Sequence, residues 1–183
     1  MPGEQKRLFL LDANVIIHAH DLYYHMDRVP EFWRWLEFHA GNGLIRMPLE
    51  IIDEIKGGDK AQHVQWAKDR DIRDIMILDE EFDVALLNRV ISEGYADDLN
   101  EVEVDRLGMD PFLIAYALKD RGSRIVVSNE VSKPRKQRAN RKVPDVCASV
   151  GVQCCNVYEL LRELDFSTDW HGKLMLTGGS AAS

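Results

Sequence analysis

Two short, wholly apolar runs each end abruptly in acid-bearing sequence, and this pairing narrows the folds open to the chain. Leu8 to Leu11 runs straight into Asp12 and Asn14, and Ile125-Val126-Val127 runs into Ser128-Asn129-Glu130. Residues apolar on both alternating faces suit a strand buried on both sides, as in the centre of a parallel sheet. Leu44 to Met47 and Val152 to Val157 read as further strands. Helical segments are expected from Pro30 to the Gly41-Asn42-Gly43 stop, from Pro48 to Gly57-Gly58, over 60–70, over 80–93, from Asp110-Pro111 to Gly122, from Pro144, and through Leu164. The aromatic side chains of 32–38 are assigned to packing rather than to base stacking. The face shared by Phe82, Ala85, Leu86, Leu87 and Val90 is assigned to the interior.

Strands alternating with helices predict an α/β fold, a three-layer α/β/α sandwich around a central, mainly parallel sheet. A composition 45% hydrophobic and 30% charged over 183 residues fits a single domain, taken as 1–170, with 171–183 as a disordered tail. No apolar run reaches the ~18–20 residues of a membrane span. Nothing in the early sequence reads as a secretory signal. Cys147, Cys154 and Cys155 imply no disulfide framework, which suits a reduced, cytoplasmic protein. The histidines offer no zinc spacing: on a helix, His18 and His20 point in opposite directions.

In parallel sheets, ligands bind beyond the carboxyl ends of the strands. Four acids are candidates for that position. Asp12 closes the first strand, Glu54 lies in the helix after the second, Asp110 opens a helix, and Glu130 follows the clearest strand. Each has a structural explanation of its own: Asp12 and Asp110 as helix N-caps, Glu54 as a solvated helix residue, Glu130 as a turn residue. Together on one sheet edge they would raise one another's pKa unless a cation neutralised them. All-oxygen donors favour a hard ion, Mg²⁺ or Mn²⁺, whose bound water can attack a phosphodiester. Asn14 and Ser128 add neutral groups able to position water or phosphate.

Leu10-Leu11-Asp12-Ala13-Asn14, Glu54, Asp110 before an apolar helix, and Val126-Val127-Ser128-Asn129-Glu130 resemble, in order and spacing, the four acidic motifs of PIN-domain nucleases. The Asp110-Pro111 pair and Val143-Pro144-Asp145-Val146-Cys147 resemble a toxin-like subgroup. The resemblance spans roughly residues 8–165. It implies metal-dependent RNA cleavage, with Asp12, Glu54, Asp110 and Glu130 as catalytic and metal-binding residues, an antitoxin partner and a homodimer. Glu130 stands where Asp is usual, and Ser128 where Thr is common. Glu50, one helical turn before Glu54, is a water-mediated helper, and Asp53 points elsewhere.

Net charge is −8, which by itself argues against nucleic acid. Its distribution argues otherwise. Lys133, Arg135, Lys136, Arg138, Arg141 and Lys142 form a basic loop just after Glu130, a candidate RNA-binding arm or else a solvated loop. Residues 69–105 hold 13 acids and 3 Arg, an acidic block suited to solvation or to a basic partner. Two other readings remain. An aspartyl-phosphate phosphatase would want a second Asp where Asn14 stands. A PIN-like scaffold would bind RNA or protein without turnover.

Overall fold

A computed structural model describes residues 7–55 and 60–172. It is a three-layer α/β/α sandwich around a four-stranded, all-parallel sheet. The strands are β1 (Leu8–Leu11), β2 (Ile45–Arg46), β3 (Arg124–Val127) and β4 (Gln153–Cys155), in the order β2-β1-β3-β4. β1 and β3 run in register, Leu8 with Arg124 through Leu11 with Val127. Both bury their last three residues, which accounts for runs that are apolar on both faces. Met47 continues β2 through a single parallel bridge to Ile77.

The first crossover uses α1 (Ala13–His18), a π turn over Ala19–Tyr23, and α2 (Pro30–Gly41). α2 buries Phe32, Trp33, Trp35 and Leu36, so these aromatic residues are core, whereas Phe38 on the same helix is exposed. Phe166 packs edge-on against Phe32 and Trp35 at 5.8 and 5.2 Å, which joins the last described segment to this helix. After β2 come α3 (Leu49–Ile52), α4 (Gln62–Lys68), α5 (Arg70–Met76), α6 (Val84–Arg89), a second π turn over Val90–Tyr95, α7 (Glu101–Leu107) and α8 (Asp110–Leu118). α8 is apolar nearly all round, and Pro111 and Leu113 to Leu118 are buried against β1 and β3. A 3₁₀ turn over Arg138–Asn140 leads into α9 (Val143–Val150), α10 (Val157–Glu163) follows, and residues 170–172 are helical again, so the first two residues of the expected disordered tail are ordered.

Several expected boundaries move. The helix from Pro48 is one turn long, and Glu54 lies in the turn after it, not within it. The remainder of that segment, 56–59, lies outside the described residues, as does 173–183, most of the expected tail. The helix over 80–93 starts later, at Val84, and becomes a π turn at Val90. Phe82 precedes the helix and is exposed, and only Val90 of the expected face is fully buried. Asp110 is the first residue of its helix rather than its cap, a place that Met109 takes. α5 and α7 arise from sequence too acidic to read as amphipathic. In α7 the order Glu101-Val102-Glu103-Val104 mimics strand alternation, yet Val102 is 68% exposed. A capping box sets the helix instead: Asn100 accepts from the Glu103 amide, and Glu103 accepts from the Asn100 amide.

Candidate active site

The strand order defines where a site can form. The chain leaves β1 for β2 on one side and returns across it to β3 on the other, so the switch point of the sheet lies between β1 and β3. Their carboxyl ends are joined by a 2.9 Å bond from the Asp12 amide to the Val127 carbonyl. Asp12 and Ser128 therefore leave the sheet side by side.

Asp12 is 5% exposed and caps α1. Its Oδ1 accepts from the Asn14 amide at 3.2 Å, and its Oδ2 accepts from Asn14 Nδ2 at 2.6 Å and from Ser128 Oγ at 2.7 Å. Asn14 Oδ1 in turn accepts from the Asn129 amide, and Ser128 Oγ accepts from the Glu130 amide. One network thus fixes the segments that follow both central strands. Asn14 and Ser128 hold Asp12 in place, and this is the contribution that the structure gives them.

Glu130 lies across the network with both oxygens engaged. Oε2 accepts from the Val143 amide at 2.8 Å, at the start of α9, and Oε1 pairs with Lys142 Nζ. Glu54 arrives from the turn after α3, and its Oε1 accepts from the Met109 amide at 3.2 Å, beside Asp110. Gly108 makes this approach available: its φ of +58° with ψ −137° is a backbone region that side chains avoid. A Cβ there would stand 3.3 Å from Glu54 Oε1.

The electrostatics join all four acids. Burial raises the Asp110 carboxyl to about 8, and the negative charges of Asp12, Glu130 and Glu54 add to the rise, while Lys142 opposes it. Burial also raises Asp12 against the lowering effect of its hydrogen bonds, with Glu130 adding to the rise. Asp12, Glu54 and Glu130 thus all lie close enough to Asp110 to act on its charge, and the oxygens of these four are the donors that could hold a hard cation. No three of their oxygens come within 4.8 Å of one another: among the described residues, the His, Cys, Asp and Glu set that close is His20, Asp21 and His63.

Of the other two acids near the second strand, Asp53 is occupied elsewhere and Glu50 only through Oε1, its Oε2 being buried without a hydrogen-bond partner. Glu50 accepts from the Tyr116 hydroxyl at 3.4 Å, and Asp53 pairs with Arg73 at 2.9 Å. The basic loop divides in two. Arg138 is held by Glu103 at 2.7 Å and Asp98 at 2.6 Å, so part of the acidic block faces the chain's own loop. Arg141 donates to the Gly94 and Asp145 carbonyls and to Ser149 Oγ. Lys142 belongs to the carboxylate cluster itself. Lys133, Arg135 and Lys136 remain exposed.

Two features have no counterpart in the sequence reading. Tyr95, at the end of the second π turn, is buried with no partner for its hydroxyl within the protein. Burial raises its pKa, and Asp110 contributes next. No signal in the sequence marks it. The second feature is a histidine cluster. His20 lies 4.3 Å from His25 and 4.7 Å from His63 between ring centroids, although 43 positions separate His20 from His63. The spacing of His18 and His20 carries no sign of this cluster, because His63 comes from another helix and His25 from the loop before α2.

A parallel α/β sandwich with a partly buried carboxylate cluster at its switch point is the class of protein these features define. A family model described as Domain of unknown function (DUF4411) matches residues 9–168, and the chain belongs to that family. No curated protein and no solved structure matches it. All four acids lie within the matched span. No helix among the described residues is long and apolar enough to cross a membrane.

Proposed function

We propose that the chain is a Mg²⁺- or Mn²⁺-dependent endoribonuclease with a PIN-like site, the toxin of a toxin–antitoxin pair. The observation that carries this reading is the convergence of Asp12, Glu54, Asp110 and Glu130 at the switch point, where burial and mutual repulsion lift Asp110 to about 8. A structural role alone gives no reason to concentrate repelling carboxylates at a ligand-binding edge. The donor set is all oxygen, which fits a hard divalent ion. Such an ion supplies charge that offsets the carboxylates and the phosphodiester, and lowers the pKa of a bound water.

The chain's own residues have distinct parts in this reading. Asn14 and Ser128 lock the Asp12 carboxylate so that it needs no rearrangement to bind. Glu54 and Asp110 form the facing wall. Lys142 places a positive charge inside the cluster, where an incoming phosphate also needs one. The exposed Lys133, Arg135 and Lys136 grip the RNA backbone. The choice of RNA follows from the motif resemblance. Asp74, Asp79 and Glu81 stay on the surface, suited to a basic antitoxin segment.

The direct test is cleavage of single-stranded RNA by the purified chain with Mn²⁺ or Mg²⁺. The wild type should cut, a chelator should stop it, and Asp12→Asn should abolish cutting while leaving circular dichroism unchanged. Cutting by Asp12→Asn at the wild-type rate refutes the site. One observation favours a second reading, a PIN-like scaffold without turnover: both oxygens of Glu130 are already engaged by Lys142 and Val143. Retained RNA affinity with no Mn²⁺ binding in calorimetry would select that reading.

A further inference from the structure

We infer that His20, Asp21 and His63 form a second metal site, for a late first-row divalent cation such as Zn²⁺, separate from the carboxylate cluster. One donor atom from each of the three lies within 4.8 Å of the other two. His20 and Asp21 come from the π turn over Ala19–Tyr23, closed by a bond from the Tyr24 amide to the Ala19 carbonyl. His63 comes from α4, so an ion here would tie two separate crossover elements together.

The nitrogens themselves point to a ligand. His63 is 4% exposed, yet neither of its ring nitrogens has a hydrogen-bond partner within the protein, nor has His20 Nδ1. A buried ring nitrogen left without a partner costs about 1–3 kcal/mol, and here three such atoms sit on adjacent rings. Coordination satisfies a lone pair on each ring. Two imidazoles and a carboxylate suit Zn²⁺, whereas the all-oxygen cluster suits Mg²⁺ or Mn²⁺.

The surroundings fit a bound ion. Trp33 stands edge-on to His20 at 6.4 Å and to Trp66 at 5.3 Å, forming an apolar wall behind the rings. Asp21 is exposed, which gives an ion a way in from solvent. The His25 ring lies 4.3 Å from that of His20 and offers a further donor. It completes a tetrahedral set if its weak 3.3 Å contact from the Asp27 amide is exchanged. The site is chemically independent of RNA cleavage, because none of its donors belongs to the acidic network.

The test is titration of the metal-stripped full chain with Zn²⁺ against a chromophoric chelator. With excess Mg²⁺ present to occupy the carboxylate cluster, the wild type should bind one tight equivalent of Zn²⁺, and Asp110→Asn should keep that equivalent. Asp21→Asn and His63→Ala should each weaken binding by about tenfold or more. Co²⁺ in place of Zn²⁺ should give the visible absorption of a site with nitrogen and oxygen donors, reduced in both variants. If His63→Ala does not fold, Asp21→Asn decides, since its side chain is exposed and removable without a core defect. No stoichiometric Zn²⁺ binding, affinity unchanged in Asp21→Asn, or loss of the tight equivalent in Asp110→Asn would each overturn the inference.

Discussion

Asp110 is the residue whose chemistry is most displaced by its neighbours, and its displacement has a sign that can be measured. Burial, with the charges of Asp12, Glu130 and Glu54, raises its carboxyl to about 8 in the folded protein, against an ordinary value of 3.8. A group whose pKa rises on folding gives stability that is present at low pH and is lost as pH rises between those two values. In chelator, stability of the wild type should therefore fall from about pH 4 to about pH 8. Asp110→Asn should flatten that fall in denaturant titrations across the range, and an unchanged slope would remove Asp110 from the cluster. Lys142 acts in the opposite direction by lowering the Asp110 pKa, so Lys142→Met should tighten Mn²⁺ binding in calorimetry while weakening RNA binding. At this scale the acids were legible in the sequence, since Asp12 and Glu130 each follow an apolar strand. Their partners were not. Lys142 reads as the last charge of a basic run, and only the fold brings its ammonium to Glu130 and its neighbour's amide to the same carboxylate.

At the scale of elements, two glycines hold the site's walls. Gly108→Ala meets both a left-handed backbone and Glu54 Oε1, and should cost about 1–3 kcal/mol while displacing Glu54. Stability and Mn²⁺ affinity should fall together, whereas a purely structural glycine would move stability alone. Gly94 lies in the π turn against α9, where a Cβ would come within 2.6 Å of Val146 Cγ1. Gly94→Ala should cost about 1–3 kcal/mol through overpacking, read as a lower midpoint in urea. Each π turn borders one of the two candidate sites: the first carries His20, the second Tyr95. Helical periodicity assumes a constant 3.6-residue pitch, so a π turn is invisible to it. Central strands and the apolar α8 could be read because their burial is written into composition. α7 could not, because a capping box and an ion pair to Arg138 set it rather than an apolar face.

For the whole molecule, the net charge of −8 turns out to be internally compensated where it matters. Arg138 spends its charge on Glu103 and Asp98, and Lys142 on Glu130, leaving Lys133, Arg135 and Lys136 for a polyanion. For single-stranded RNA, three such contacts predict a slope of log affinity against log salt of about −2, and all six basic side chains would give about −4. The steeper value would mean that the Arg138 and Lys142 pairs and the Arg141 hydrogen bonds all open on binding.

The central claim is that the four carboxylates form a site for a hard divalent cation, and proton release tests it most directly. An ion that binds a carboxyl raised to about 8 must displace its proton at pH 7. Mn²⁺ titration calorimetry of the purified chain, repeated in buffers of different ionisation enthalpy, should show a heat that tracks the buffer. In Asp110→Asn that dependence should vanish and affinity should fall. Absence of Mn²⁺ binding, or binding with no proton released in the wild type, would contradict the claim.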